Sequence, residues 1–148
     1  MIQRGKEQPE PAMNYEGVII EESLRNKATL QSLNVVSTKI EPVTKDHQTP
    51  WIKQWTLCTI SVPANQAESI AKALSRSIDR AHNAWYIDFK NNKTHYIIFP
   101  DRVFKVDRRQ AVEYQAATDY GMKLGIPHHQ LDFSPHIIYW DREQTRPL

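Results

Sequence analysis

The chain has 148 residues and a single cysteine, with 40% hydrophobic residues, 24% charged residues and a formal net charge of +2. This length suits one domain that buries its core without disulfides or structural metals. The near-balanced charge excludes any argument for nucleic acid, acidic substrates or membranes from charge alone, and the lone Cys58 excludes an internal disulfide.

Residues 1–13 are polar and interrupted by prolines, which predicts a disordered tail, followed by a single α+β domain over 14–133 and a C-terminal extension over 134–148. With no apolar run of membrane-spanning length and no apolar leader, the expected location is soluble and cytoplasmic. Strand character begins at Tyr15 and ends at the acidic pair Glu21 and Glu22. Asn26 suits the cap of one or two helical turns that carry Ala28, Leu30 and Leu33. Residues 34–43 alternate as a second strand that stops where Pro42 removes a ladder donor, and these two strands are expected to pair. The polar loop 44–54 holds Trp51, either a lid packed on the body or a binding platform. Residues 55–63 are apolar on both faces, the pattern of a central strand in which Cys58 is a small buried hydrophobe.

A helix follows, with Pro63 in its first turn and Ala67, Ile70, Ala71, Leu74, Ile78 and Ala81 at helical spacing. Residues 84–107 hold three short strands rich in aromatic and β-branched residues. A two-residue turn at Asn91-Asn92 would set Asp88 opposite His95 and Phe89 opposite Thr94. A three-residue turn over 100–102 would set Lys105 opposite Ile97 and Asp107 opposite His95. Trp85, Ile87, Phe89, Tyr96, Ile98, Phe104 and Val106 then form the core face. Tyr86, Asp88, Lys90, His95, Ile97, Phe99, Val103, Lys105 and Asp107 form the opposite one. Asp107 and Gln110 resemble a capping box for a second helix, whose inner stripe is Ala111, Tyr114, Ala117, Gly121 and Leu124 and whose end is a left-handed Gly125. This order predicts a ferredoxin-like α+β sandwich: an antiparallel sheet with two helices on one face, extended by the N-terminal strands.

The segments WIKQWTL, AWYIDFKN, HYIIF, VFKVDR and YGMKLGIP resemble a family of small uncharacterised proteins from bacteria and archaea, over roughly residues 16–133. The resemblance implies a shared fold and transfers no catalytic residues.

Four glycines build neither a phosphate loop nor a dinucleotide fingerprint, and no serine sits in a nucleophile elbow. His128, His129, Asp132 and His136 have loosely metal-like spacing, but prolines break any helix that would align them, so no metal and no cofactor is expected. The leading expectation is a non-enzymatic binding or regulatory domain that uses the exposed meander face. Tyr86, Phe99 and Trp51 would stack a partner, Lys90 and Lys105 would track charge, and Asp88 and His95 would lie between them. Single-stranded nucleic acid and a protein are the partners considered. The alternative is a metal-dependent phosphodiesterase, in which Asp79 and the triplet Asp88-Phe89-Lys90 echo an acid, acid-x-lysine arrangement and the catalytic set is Asp88, Lys90, His95 and Asp107. A second alternative is a homodimer packed through Tyr86, Ile97, Phe99 and Val103.

Overall fold

A computed structural model of the chain describes residues 13–82, 85–131 and 133, so most of the proposed tail and the whole C-terminal extension lie outside the described residues. Six strands form one antiparallel open sheet in a mixed α+β architecture. They are β1 (Tyr15–Ile20), β2 (Asn34–Pro42), β3 (Gln54–Val62), β4 (Ile87–Lys90), β5 (Thr94–Phe99) and β6 (Arg102–Asp107), in the order β2-β3-β1-β4-β5-β6. The helices are α1 (Ala67–Ser77) and α2 (Ala111–Lys123). Among the described residues no helix is long and apolar enough to cross a membrane.

β1 does not pair with β2, contrary to the sequence expectation. It lies between β3 and β4 and pairs with both, while β2 forms an edge on β3. The reason is in β1 itself. Tyr15 and Ile19 are buried, and Gly17 allows contact with β4 so close that a Cβ there would lie 2.7 Å from Phe89 Cβ. Only glycine permits that approach. β2, in contrast, is exposed along its length except at Glu41.

The meander forms with its turns displaced, and the displacements have different consequences. Asn91 N–H donates to the Thr94 carbonyl, and Asn91 Oδ1 accepts from the N–H groups of Lys93 and Thr94. The tight turn is therefore Asn92-Lys93, which pairs Phe89 with Tyr96 and Lys90 with His95. This slip of two residues leaves every side chain on its expected face. At the second turn Phe99 pairs with Arg102 around Pro100 and Asp101, whose φ is 61°. That loop is one residue shorter than expected, so β6 is inverted: Phe104 and Val106 join His95 and Ile97, and Lys105 and Asp107 turn to the other side.

The helices lie on opposite faces of the sheet, which corrects the expectation of two helices on one face. Ala67, Ala71 and Leu74 of α1 pack with Ile19, Ile60, Val62, Ile87, Phe89, Tyr96 and Ile98. Tyr114 and Ala117 of α2 pack with Ile97, Phe99 and Val106, and the following segment adds Ile126, Leu131 and Phe133. Each helix has one apolar stripe, but the shorter turn before β6 gave the second face apolar residues of its own, and these needed cover.

Both helix ends differ from a simple reading of periodicity. The turn Ala64–Gln66 is 3-10, and α1 stops at Ser77 because Ile78 becomes extended and bridges Leu24, with Arg25 N–H donating to the Ser77 carbonyl. Asp107 does not form a capping box with Gln110. Its carboxylate accepts from Arg109 N–H, and its own N–H donates to Glu113. The end of α2 is as expected: Gly125 has φ 97°, its N–H donates to the Met122 carbonyl, and Ile126 N–H donates to that of Gly121. Cys58 is buried, and burial raises its thiol pKa.

Candidate functional site

On the face beneath α2, three of the four residues of the proposed catalytic set come together. Asp88 and Lys90 alternate onto the same side of β4, and Lys90 faces His95 across the ladder. His95 is 1% exposed and Asp88 7%. His95 Nε2–H donates to Asp88 Oδ2 at 2.6 Å, which leaves Nδ1 to accept from the Tyr114 hydroxyl at 3.0 Å. A neutral imidazole satisfies both bonds at once. Burial favours that state and lowers the His95 pKa; the Asp88 carboxylate opposes the shift, while Lys90 and Arg108 add to it. Burial likewise raises the Tyr114 pKa, so its phenol remains a donor.

Lys90 is the anomalous member. It is 7% exposed, yet among the described residues its ammonium makes neither a hydrogen bond nor an ion pair. Asp88, two residues away on the same side of β4, is occupied by His95, and Glu16 faces Lys90 across the β1 ladder. Arg108, also buried, is anchored by N–H donation to the carbonyls of Lys93 and Asn91 and adds a second positive charge. Burial lowers the Lys90 pKa from 10.5 to about 8, with Asp88 opposing and Arg108 reinforcing the fall.

α2 covers only the half of this face formed by β5 and β6. On β1, β3 and β2 the same side bears Glu16, Val18, Thr59, Ser61, Ser37 and Lys39, all exposed or half-buried. Leu57, also on this side of β3, is buried, so Lys90 stands between the half-sheet under α2 and a half of mixed polarity.

Asp107 is absent from the cluster. The one-residue shift of β6 turns it to the opposite side, where it pairs with Arg109. The acidic pair expected to hold a divalent ion is thus separated by the sheet, and Asp79 pairs with His82 beyond the end of α1. No group of three metal-ligating side chains occurs among the described residues. Of the histidine-rich stretch, His128 and His129 lie in the 3-10 turn His128–Gln130, while Asp132 and His136 fall outside the described residues.

The expected exposed aromatic face is buried. Phe99 and Ile97 are fully buried in the cluster that Tyr114 and Ala117 of α2 form with Ile126, Leu131 and Phe133. The Tyr86 ring packs on Phe99 and Phe133, and its hydroxyl donates to the Gln130 carbonyl. Val103 has moved to the α1 side, where it packs against the core with Ile98 opposite. Lys105 is exposed there, its ammonium 5.9 Å from the Tyr96 ring. Trp51 is 40% exposed and stacks on His82 with ring centroids 3.8 Å apart, edge-on to buried Trp85.

Tyr114 and Arg108 were not identified from the sequence as site residues. Tyr114 sits at a helical core position and Arg108 in a charged turn, and neither carries a motif. A second buried pair also went unnoticed: His47 Nε2 and Glu41 Oε1 lie 2.9 Å apart, with Thr44 N–H donating to His47 Nδ1. Comparison with protein-family models, curated proteins and solved structures finds no match.

Proposed function

We propose that the protein is a non-enzymatic binding domain that receives an anionic group, a phosphate or a carboxylate, at Lys90 and Arg108. The observation that carries this reading is the largely buried Lys90 side chain, whose ammonium makes neither a hydrogen bond nor an ion pair among the described residues and feels the second positive charge of Arg108. A partly desolvated charge without a bonded partner is costly, and an anion would offset that cost. The Asp88–His95–Tyr114 chain has a supporting role: it engages the Asp88 carboxylate and fixes α2 against β5, while Glu16 lies across the β1 ladder from Lys90. Of the ferredoxin-like expectation, the β3–α1–β4 crossover around the antiparallel β1 is the portion that supports such a relationship.

The test is thermal unfolding in inorganic phosphate and in acetate, at matched ionic strength against chloride, for the wild type and Lys90→Met. The proposal predicts saturable stabilisation of the wild type that the variant lacks. A ligand at ten times its Kd stabilises by about 1.4 kcal/mol. Equal responses of the two proteins to both anions would overturn it.

A further inference from the structure

We infer that the protein pairs with a second copy of itself through the free edge of β2, which joins two sheets into one continuous antiparallel sheet. Of the seven large hydrophobic side chains exposed among the described residues, three, Val35, Val36 and Ile40, lie on this strand. The other four are spread over residue 13, the 44–54 loop and the two ends of α2, and β6, the opposite edge, has none of them. Val36 is 53% exposed and Ile40 59%. Apolar side chains gathered on an unpaired edge mark an interaction surface.

The backbone of β2 is turned for pairing. Thr56 N–H donates to the Glu22 carboxylate and not to β2, so Ile40 and Thr56 form a pair of the non-hydrogen-bonded kind. The N–H and C=O of Ile40 therefore point away from β3, and strand alternation turns those of Thr38 the same way. Val36 has no partner on β3, because the bulge between Val35 and Ser37 leaves it out of that ladder.

The order of residues in β2 selects both the occupant and the register. A two-fold axis at Thr38 pairs all nine residues of the strand and sets Thr38 against Thr38 of the second copy as a hydrogen-bonded pair. It also sets Ile40 against Val36 of that copy, so each strand covers apolar side chains that the other leaves exposed. Neighbouring axes match less well. An axis at Ser37 sets Ile40 against Asn34, and one at Lys39 brings two ammonium groups face to face. An axis at Ile40 sets Pro42, which has no N–H, against Thr38 where a donor is needed. Lys39 and Pro42 are the residue types that guard edges against pairing, and here they leave one self-complementary register.

The full-length chain would be followed by sedimentation equilibrium from about 10 µM to about 1 mM, a range that brackets a small, weak interface. The expected result is an average mass that rises from one chain towards two. Thr38→Pro removes an N–H that β3 does not use, and Ile40→Lys sets a charge against the apolar contact. Each variant should keep its circular dichroism and remain a single chain throughout, and where one fails to fold the other carries the test. Under mild oxidation, Thr38→Cys should cross-link two chains about tenfold faster than Ile40→Cys, because only the axis residue meets its own copy within disulfide range. The buried Cys58 is the common background. A mass of one chain at every concentration would overturn the inference and leave the edge to a strand of a different protein. Dimers that persist in both variants would overturn it by placing the contact elsewhere. Cross-linking of Ile40→Cys as fast as that of Thr38→Cys would overturn the register.

Discussion

Lys90 holds a charge with no bonded partner among the described residues, so removing that charge should stabilise the protein. Lys90→Met keeps the length of the side chain and deletes the ammonium. The ordinary value of 10.5 falls to about 8 in the folded chain. At about 1.4 kcal/mol for each tenfold change in proton affinity, this is about 3 kcal/mol of unfavourable free energy at neutral pH. Residual hydration of the ammonium reduces it to about 2 kcal/mol, which for a domain of this size raises Tm by about 5–10 °C. The sign follows from proton counting: between about 8 and 10.5 the unfolded chain binds the proton and the folded chain does not, so wild-type stability rises with pH across that window. Urea unfolding of both proteins at pH 7, 8.5 and 10 should show an advantage for the methionine variant that is largest at pH 7 and shrinks at pH 10. A variant less stable than wild type at pH 7, or an advantage that does not change with pH, would refute the reasoning.

His95 behaves in the opposite direction along the pH axis. Its lowered pKa means that the unfolded state binds the proton first, so stability present above 6.5 is lost as pH falls below it; His95→Gln should flatten that acid limb in urea titrations. Gly17→Ala forces a Cβ into Phe89 and the Asp88 carbonyl, and separating β1 from β4 should cost about 3 kcal/mol and abolish the phosphate response. Asp88→Asn removes the charge that supports the Lys90 ammonium, so the Lys90 pKa, followed by its side-chain NMR shifts, should fall below about 8.

The strands and helices were legible because their signals are local. Tyr15, Asn26, Pro42 and Gly125 mark boundaries through backbone chemistry that tertiary contacts did not override. Pairing across the sheet was less accessible. Nothing in the sequence of β1 says that it enters between β3 and β4, and Gly17, which permits that entry, reads as an ordinary weak point in a strand until Phe89 is placed against it.

The two meander turns show how a register error becomes a functional error. At Asn91 the side chain accepts from two backbone N–H groups and moves the turn by one position, so the pairing slips by an even number; Asp88, Lys90 and His95 stay together although their predicted partners were wrong. At Pro100-Asp101 the loop is one residue shorter, because Asp101 adopts a positive φ that an aspartate tolerates, and the slip is odd. That single residue exchanges Asp107 for Val106 beside His95. It replaces a second carboxylate with a methyl-bearing wall, adds to the apolar face under α2, and separates the two acids of the expected metal site. The loss of that second acid beside His95 follows from the parity of one turn.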